Sequence, residues 1–281
     1  NNYIHDSKYQ YLVTREKVVA HKAVGKTPNY TSSVSIAKNI PLIVKQTVDG
    51  GHIVTEPQSS DRLFLSNNKK FVYSNSVKPL SKKQIKVLNN DSSTWSSKIG
   101  KSSVKAIGYY TGNGYEKING YLRSGTGQKK VSKKSQLIQK SISKFRLRYD
   151  ATVYRGISSK GLKLSLSNQR LTVGSIYQDK AFSSTSLSKQ IALGFSSQYI
   201  LRINIPGGFH GAYIDPISEN KGEKEYLLKE GQKLIVTKIQ NISYTEATKM
   251  YLIKKKGAKI TQHTSDTAKG NYKLVTLNLL N

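Results

Sequence analysis

The chain predicts an α+β protein preceded by a small β-rich module, and three observations carry that prediction. Residues 1–77 break into short β-prone segments separated by turn signals, residues from Ser81 to Phe145 change to helical periodicity, and strand-length apolar runs return after Asp150. Helices followed by strands is the order of an α+β domain. A length of 281 residues accommodates one large domain or two ordinary ones, with ample chain for a core. Pro79 marks the boundary, dividing the chain into 1–78 and 79–281.

The first segment carries strand candidates at Tyr9 to Thr14, Lys17 to Val24, Ile40 to Val48, His52 to Glu56, Arg62 to Ser66 and Lys70 to Tyr73. Turn residues at Gly25-Lys26-Thr27-Pro28, Asp49-Gly50-Gly51 and Asn67-Asn68 separate them. Such a module reads either as an SH3-like binder of a cell-wall or surface polymer or as a structural extension of the next domain. Beyond Pro79, Ile85, Leu88 and Trp95 form one helical stripe. Val104, Ile107, Tyr110, Tyr115, Ile118 and Leu122 form two more around Gly112-Asn113-Gly114. A Gly/Ser/Lys loop over Ser124 to Lys134 then leads to a basic helix from Ser135 to about Phe145.

After Asp150 the strand candidates are Ala151 to Tyr154, Ser175 to Tyr177, Ala181 to Ser184, Gln198 to Ile205, Ala212 to Ile214, Glu225 to Leu228 and Lys233 to Gln240. A short helix at Ser188 to Phe195 interrupts them. Lys249 to Ile253 and Tyr272 to Leu279 read as further edge strands.

Composition narrows the chemistry. Cysteine is absent, which excludes thiolate nucleophiles and disulfides, and the five histidines show no metal-ligand spacing. No metal is expected. No run approaches the ~18 apolar residues of a membrane span. The start at Asn1-Asn2, without Met or a signal-like segment, reads as a processed secreted protein or a trimmed chain. Net charge is +30, with +24 of it in residues 81–281. Eight basic residues and no acidic one lie between Gln128 and Arg148, read as a solvated helix face or as a docking patch for an acidic partner.

Three short motifs hold the chemistry. Arg155 follows the β-prone Thr152-Val153-Tyr154, where a planar fork suits phosphate oxygens. Ser184-Thr185-Ser186 ends the strand containing Phe182, with hydroxyls able to bond a carboxylate or a ribose. Glu223-Lys224-Glu225 opens the strand Glu225 to Leu228, and period-2 geometry would put both carboxylates on one face, ~7 Å apart. Two acids facing one cleft can divide their roles, one stabilising a developing cation and the other serving a nucleophile.

In this order the three resemble the Arg, Ser-Thr-Ser, Glu-x-Glu signature of bacterial mono-ADP-ribosyltransferase toxins. Further blocks at Val104 to Arg123, Asp150 to Gly156, Phe182 to Leu187, Gly211 to Ser218 and Glu223 to Leu228 are similar to clostridial Rho-modifying exoenzymes and to the enzymatic components of actin-modifying binary toxins. The resemblance covers roughly residues 80–240. It implies a fold of two roughly perpendicular sheets with an N-terminal helical cap, and NAD held in the cleft as substrate.

It also implies roles. Arg155 would bind the NAD phosphates, Ser184 would position the catalytic acid, Glu225 would stabilise an oxocarbenium-like ribosyl cation, and Glu223 would guide the acceptor. Thr185 and Ser186 join the cofactor set through the same motif. Asn119 and Arg123 match cap positions that contact the dinucleotide, Tyr110 and Tyr115 its aromatic neighbours, and Phe195 the aromatic that covers nicotinamide; helix-spaced tyrosines are equally core residues. Glu at position 223 goes with arginine modification, where Gln goes with asparagine, because a carboxylate pairs with a guanidinium. Asn220 stands where Rho- and actin-directed members carry an aromatic, a departure that bears on target recognition. Ala181 stands where binary toxins tend to have Asn, a departure on the nicotinamide side.

The expectation is therefore a secreted, NAD-dependent arginine-specific transferase acting on a host protein, actin first among them, with NAD glycohydrolase side activity. Water as the physiological acceptor, and a non-enzymatic basic surface-binding protein, stay open as alternatives. Nucleic acid is not the expected partner.

Overall fold

The computed structural model describes residues 11–38, 40–56, 59–73, 77–244, 249–252, 261–264 and 270–280. Tyr9, Gln10 and Ile253, each at an end of an expected strand, lie outside them. The first seven strands are β1 (Tyr11–Thr14), β2 (Val18–Val24), β3 (Thr27–Ile36), β4 (Pro41–Val48), β5 (Gly51–Thr55), β6 (Leu63–Ser66) and β7 (Phe71–Tyr73). They form one sheet in the order β3-β2-β6-β5-β4-β1-β7, antiparallel at every pair. Leu12, Val18, Ala20, Ile36, Leu42, Val54, Leu63 and Leu65 fill its core.

β3 corrects the sequence reading, which placed only a turn near Pro28. As an edge strand it has nine of ten residues that are not buried, so its sequence TPNYTSSVSI lacks the apolar alternation that marks a half-buried strand.

Ser81 starts the helical region. Its hydroxyl accepts from the Gln84 N–H (3.3 Å) and the Gln84 side chain accepts from the Ser81 N–H (2.9 Å), a reciprocal cap for α1 (Lys82–Lys98). Leu88, Ser92 and Trp95 form its buried stripe. α2 (Lys101–Tyr109) runs through a π turn at Tyr110–Gly114 into α3 (Tyr115–Ser124), which ends at Gly125 in the left-handed conformation. α4 spans Lys129–Ile142, so the basic helix begins six residues before the expected Ser135. Lysines are good helix formers, and Val131, Ser135, Ile138 and Ile142 give it an inward face.

The remaining elements are β8 (Ala151–Ile157), α5 (Ser159–Ser165), β9 (Ile176–Gln178), β10 (Ser183–Ser186), α6 (Lys189–Phe195), β11 (Tyr199–Ile205), β12 (Gly211–Tyr213), β13 (Glu225–Leu228), β14 (Lys233–Tyr244), β15 (Lys249–Leu252), β16 (Thr261–Thr264) and β17 (Gly270–Leu279). Apart from the β15-β16 pair they make an eight-stranded sheet, β12-β13-β10-β8-β11-β17-β14-β9. Its continuity is weakest between β10 and β8, which meet at the single residue pair Ser186 and Tyr154. That junction divides it into the two sheets expected of the domain, one of three strands and one of five.

β17 is central rather than an edge strand. It lies parallel to β11 and antiparallel to β14, with Val275 to Leu279 all buried. A strand covered on both faces reads as a nearly continuous apolar run, and LVTLNL is one.

The β module is tied to this domain through Arg15, whose guanidinium pairs with Asp150, and the segment that follows it through Arg202, which donates to the Val77 carbonyl (2.7 Å). Among the described residues no helix is long and apolar enough to cross a membrane.

Candidate active site

A cleft of about 720 Å³ opens where the sheet divides, walled by the π turn, β8, β10, α6 and the loop before β13. Its lining includes Tyr110, Tyr115, Asn119, Arg155, Ser184, Thr185, Ser186, Phe195, Glu223 and Glu225. Ten of the eleven expected site residues are thus in one place. The eleventh, Arg123, is not among the lining. Its guanidinium forms a two-bond fork with Asp179 at 2.9 and 2.7 Å. Burial pushes the Asp179 carboxyl up, but the Arg123 fork and the Ala181 N–H outweigh it and hold the group below its usual range.

Arg155 sits inside β8, two residues before its end, rather than at a strand terminus as read from the sequence. Nη1 donates to the Ser184 carbonyl at 2.8 Å, which fixes the plane of the fork. Nε is buried and has no partner among the described residues. Beside it Gly156 lets α6 approach: a Cβ there would lie 2.1 Å from the Ala192 carbonyl oxygen. This close packing brings Ile191, Ala192 and Phe195 to the cleft, and Phe195 stays 60% exposed at its rim.

On the opposite wall Asn119 donates to the Tyr110 hydroxyl (3.1 Å), which in turn lies 3.3 Å from the Ser184 hydroxyl. Tyr110 is buried edge-on against Phe182, with 5.7 Å between ring centres. Asn119 Oδ1 is buried without a partner among the described residues.

The hydroxyls of Thr185 and Ser186 face the protein instead. Thr185 Oγ1 donates to the Tyr226 carbonyl and Ser186 Oγ to the Glu223 carbonyl, each at 2.6 Å. Both side chains pin the acidic segment, which is a positioning role the Ser-Thr-Ser motif did not announce.

The Glu-x-Glu geometry also differs from the expected strand pair. β13 begins at Glu225, while Lys224 has φ of 52°, so Glu223 lies in a turn before the strand. Asp215 holds that turn, its Oδ1 accepting from the N–H groups of Gly222 (3.1 Å) and Lys224 (2.7 Å). Both glutamates nevertheless line the cleft, Glu223 8% and Glu225 5% exposed. Burial pushes the Glu225 carboxyl up to about 8; the Ser184 hydroxyl opposes this, the Glu223 and Asp215 charges add to it, and Arg155 opposes it. Burial, then Asp215, pushes Glu223 up to about 7.

Sequence reasoning missed Asp215, Thr111 and Glu219. Thr111 Oγ1 accepts from the Glu219 N–H (2.9 Å), and its carbonyl accepts from Asn220 Nδ2 (2.7 Å). These contacts tie the π turn to the loop before β13 across more than a hundred residues, and no local pattern marks them.

A cleft that holds an Arg fork and two buried carboxylates can neutralise phosphates and stabilise a developing cation in one site. Residues 88–264 match the profile described as ADP-ribosyltransferase exoenzyme. The NAD(+)–arginine ADP-ribosyltransferase EFV of Enterococcus faecalis is 31% identical over 166 residues, 55% of this chain and 32% of the relative. The mono(ADP-ribosyl)transferase SpvB of Salmonella typhimurium is 29% identical over 175 residues, 53% of this chain and 29% of the relative. The chain thus spans about a third of the length of these curated relatives. Among solved structures, the enzymatic component C2-I of the Clostridium botulinum C2 toxin superposes with a TM-score of 0.56 at 16% identity, over 88% of this chain and 58% of that one.

Proposed function

The chain belongs to the ADP-ribosyltransferase exoenzyme family, and from that premise we propose that it transfers ADP-ribose from NAD to an arginine of a host protein. One observation carries the reading: two carboxylates, both more than nine-tenths buried, share a cleft with a half-buried Arg fork. The relative named for NAD and arginine supports the choice of acceptor. The resemblance to actin-modifying components makes actin the first protein to test, and the toxin relatives support secretion and action in a host cell.

NAD supplies a nicotinamide that is already cationic, so its departure requires no added proton. Arg155 binds and neutralises the pyrophosphate with the N–H groups left free by its bond to Ser184. Glu225, in the ionised form that its raised pKa makes predominant only above about pH 8, stabilises the positive charge that grows on the ribose carbon as its bond to nicotinamide breaks. Ser184 and Tyr110 orient that carboxylate. Glu223 receives the acceptor guanidinium and takes the proton it sheds as the new carbon–nitrogen bond forms. A carboxyl pushed up to about 7 suits this exchange near neutral pH. Phe195 and Tyr115 cover the cleft, and residues 1–78 act as an accessory module, either a surface binder or a structural extension of the catalytic domain.

Glu223→Gln tests the division of labour. It removes the proton acceptor and leaves Glu225 in place, so arginine transfer should fall about 10²-fold while nicotinamide release into water continues. Measuring labelled acceptor and free nicotinamide in one reaction checks this. Equal losses in both would remove Glu223 from the acceptor step.

A further inference from the structure

The cleft carries a third carboxylate that the chemistry above leaves unused. Glu219 lies at the cleft wall, four residues before Glu223. We propose that Glu219 selects acceptors in which the target arginine stands beside a second cationic side chain, an inference that rests on the arginine reading above.

Three observations place Glu219 for this work. Its main chain is anchored, with its N–H bonded to Thr111 Oγ1 and the next residue, Asn220, bonded to the Thr111 carbonyl. Thr111 Oγ1 itself donates to the Gly108 carbonyl (3.1 Å), so the anchor is part of the π turn. The side chain then lies along a surface kept bare by two glycines. A Cβ at Gly108 would stand 3.2 Å from Glu219 Oε1, and one at Gly112 would stand 3.5 Å from its Cγ. The carboxylate thus lies in close contact with the Gly108 backbone.

The third observation is electrostatic. Glu219 has no ion-pair partner among the described residues, although the chain carries 46 basic side chains. Glu223, 8% exposed, likewise has no hydrogen-bond partner for its carboxylate among the described residues. Two carboxylates lining one cleft offer places for two cations, the reactive guanidinium on Glu223 and a neighbouring charge on Glu219. The +30 field of the protein repels cationic acceptors at a distance. Two acidic places in the cleft favour an acceptor that carries two cations over one that carries a single cation, which makes Glu219 a specificity device.

The test compares two blocked peptides with labelled NAD, one with arginine among alanines and one with a lysine two residues from the arginine. The wild-type KM should be three- to fivefold lower, roughly, for the lysine-bearing peptide, the range of a partly exposed ion pair. Glu219→Gln should equalise the two, and Glu219→Asp should restore part of the preference. The ratio of two KM values on one enzyme is insensitive to a general loss of folding. Equal KM values in wild type, or a preference that survives in Glu219→Gln, would overturn the inference and leave the arginine reading intact. Release of nicotinamide with neither peptide labelled would overturn both.

Discussion

Glu225→Gln is expected to lower ADP-ribosyl transfer and NAD hydrolysis together, by about 10³-fold, the scale of removing a preorganised electrostatic stabiliser. The substitution keeps shape and burial and removes only the charge that faces the ribose. Both reactions break the same bond to nicotinamide, so both lose the same stabilisation. Glu223→Gln is expected to separate them, and that contrast identifies which carboxylate serves the bond that breaks.

The same substitution should raise thermal stability, which distinguishes lost chemistry from lost folding. Burial raises the folded-state pKa of Glu225 from an ordinary 4.5 to about 8. A raised carboxyl contributes stability that is complete below about 4.5 and is lost as pH rises through about 8. Glutamine cannot ionise and escapes this loss. Melting temperatures should therefore match near pH 4, and the variant should gain on wild type as pH climbs toward 8. A variant that melts lower at pH 8 would assign the inactivity to structural damage.

Arg155→Ala is expected to weaken NAD binding by roughly 30- to 100-fold, the worth of one charge-assisted hydrogen-bonding group lost from a buried site. The guanidinium is held by the Ser184 carbonyl at 2.8 Å through Nη1. The remaining terminal N–H groups are the ones available to a ligand oxygen. Arg155→Lys keeps the charge but not the fork, so it should recover only a small part. Equilibrium dialysis with labelled NAD measures all three proteins, and Trp95, away from the cleft beside Phe145, serves as an independent fluorescent report of folding. Unchanged affinity in Arg155→Ala would remove it from phosphate binding.

Much of this site was legible in the chain because its parts are local. Arg155 after a β-prone run, Ser184 in a Ser-Thr-Ser strand end and Glu225 at a strand entrance are each short signals, and their order carried the resemblance. What stayed hidden depends on tertiary contacts. Asp215 matters through two main-chain N–H groups seven and nine residues away, and Thr111 through a loop more than a hundred residues later. Period-2 reasoning failed at Glu223 because Lys224 takes a left-handed conformation, which ends the strand one residue sooner.

Fold errors have similar causes. An edge strand needs no apolar alternation, which hides β3 in the sequence, and the parallel partner of β17, β11, lies some seventy residues earlier, which gives β17 the look of an edge strand. α4 begins early because its first turn is lysine-rich, which reads as a loop although the residues favour helix. Arg123 bonds Asp179 where the resemblance pointed it at the dinucleotide, a pairing that only the folded chain brings together.

The most direct measurement is fragmentation mass spectrometry of an arginine-containing peptide after incubation with NAD and the protein. ADP-ribose on the arginine guanidinium, absent with Glu225→Gln, is the expected result. ADP-ribose on a different side chain, or intact peptide accompanied by free nicotinamide, would contradict the assignment of arginine as acceptor.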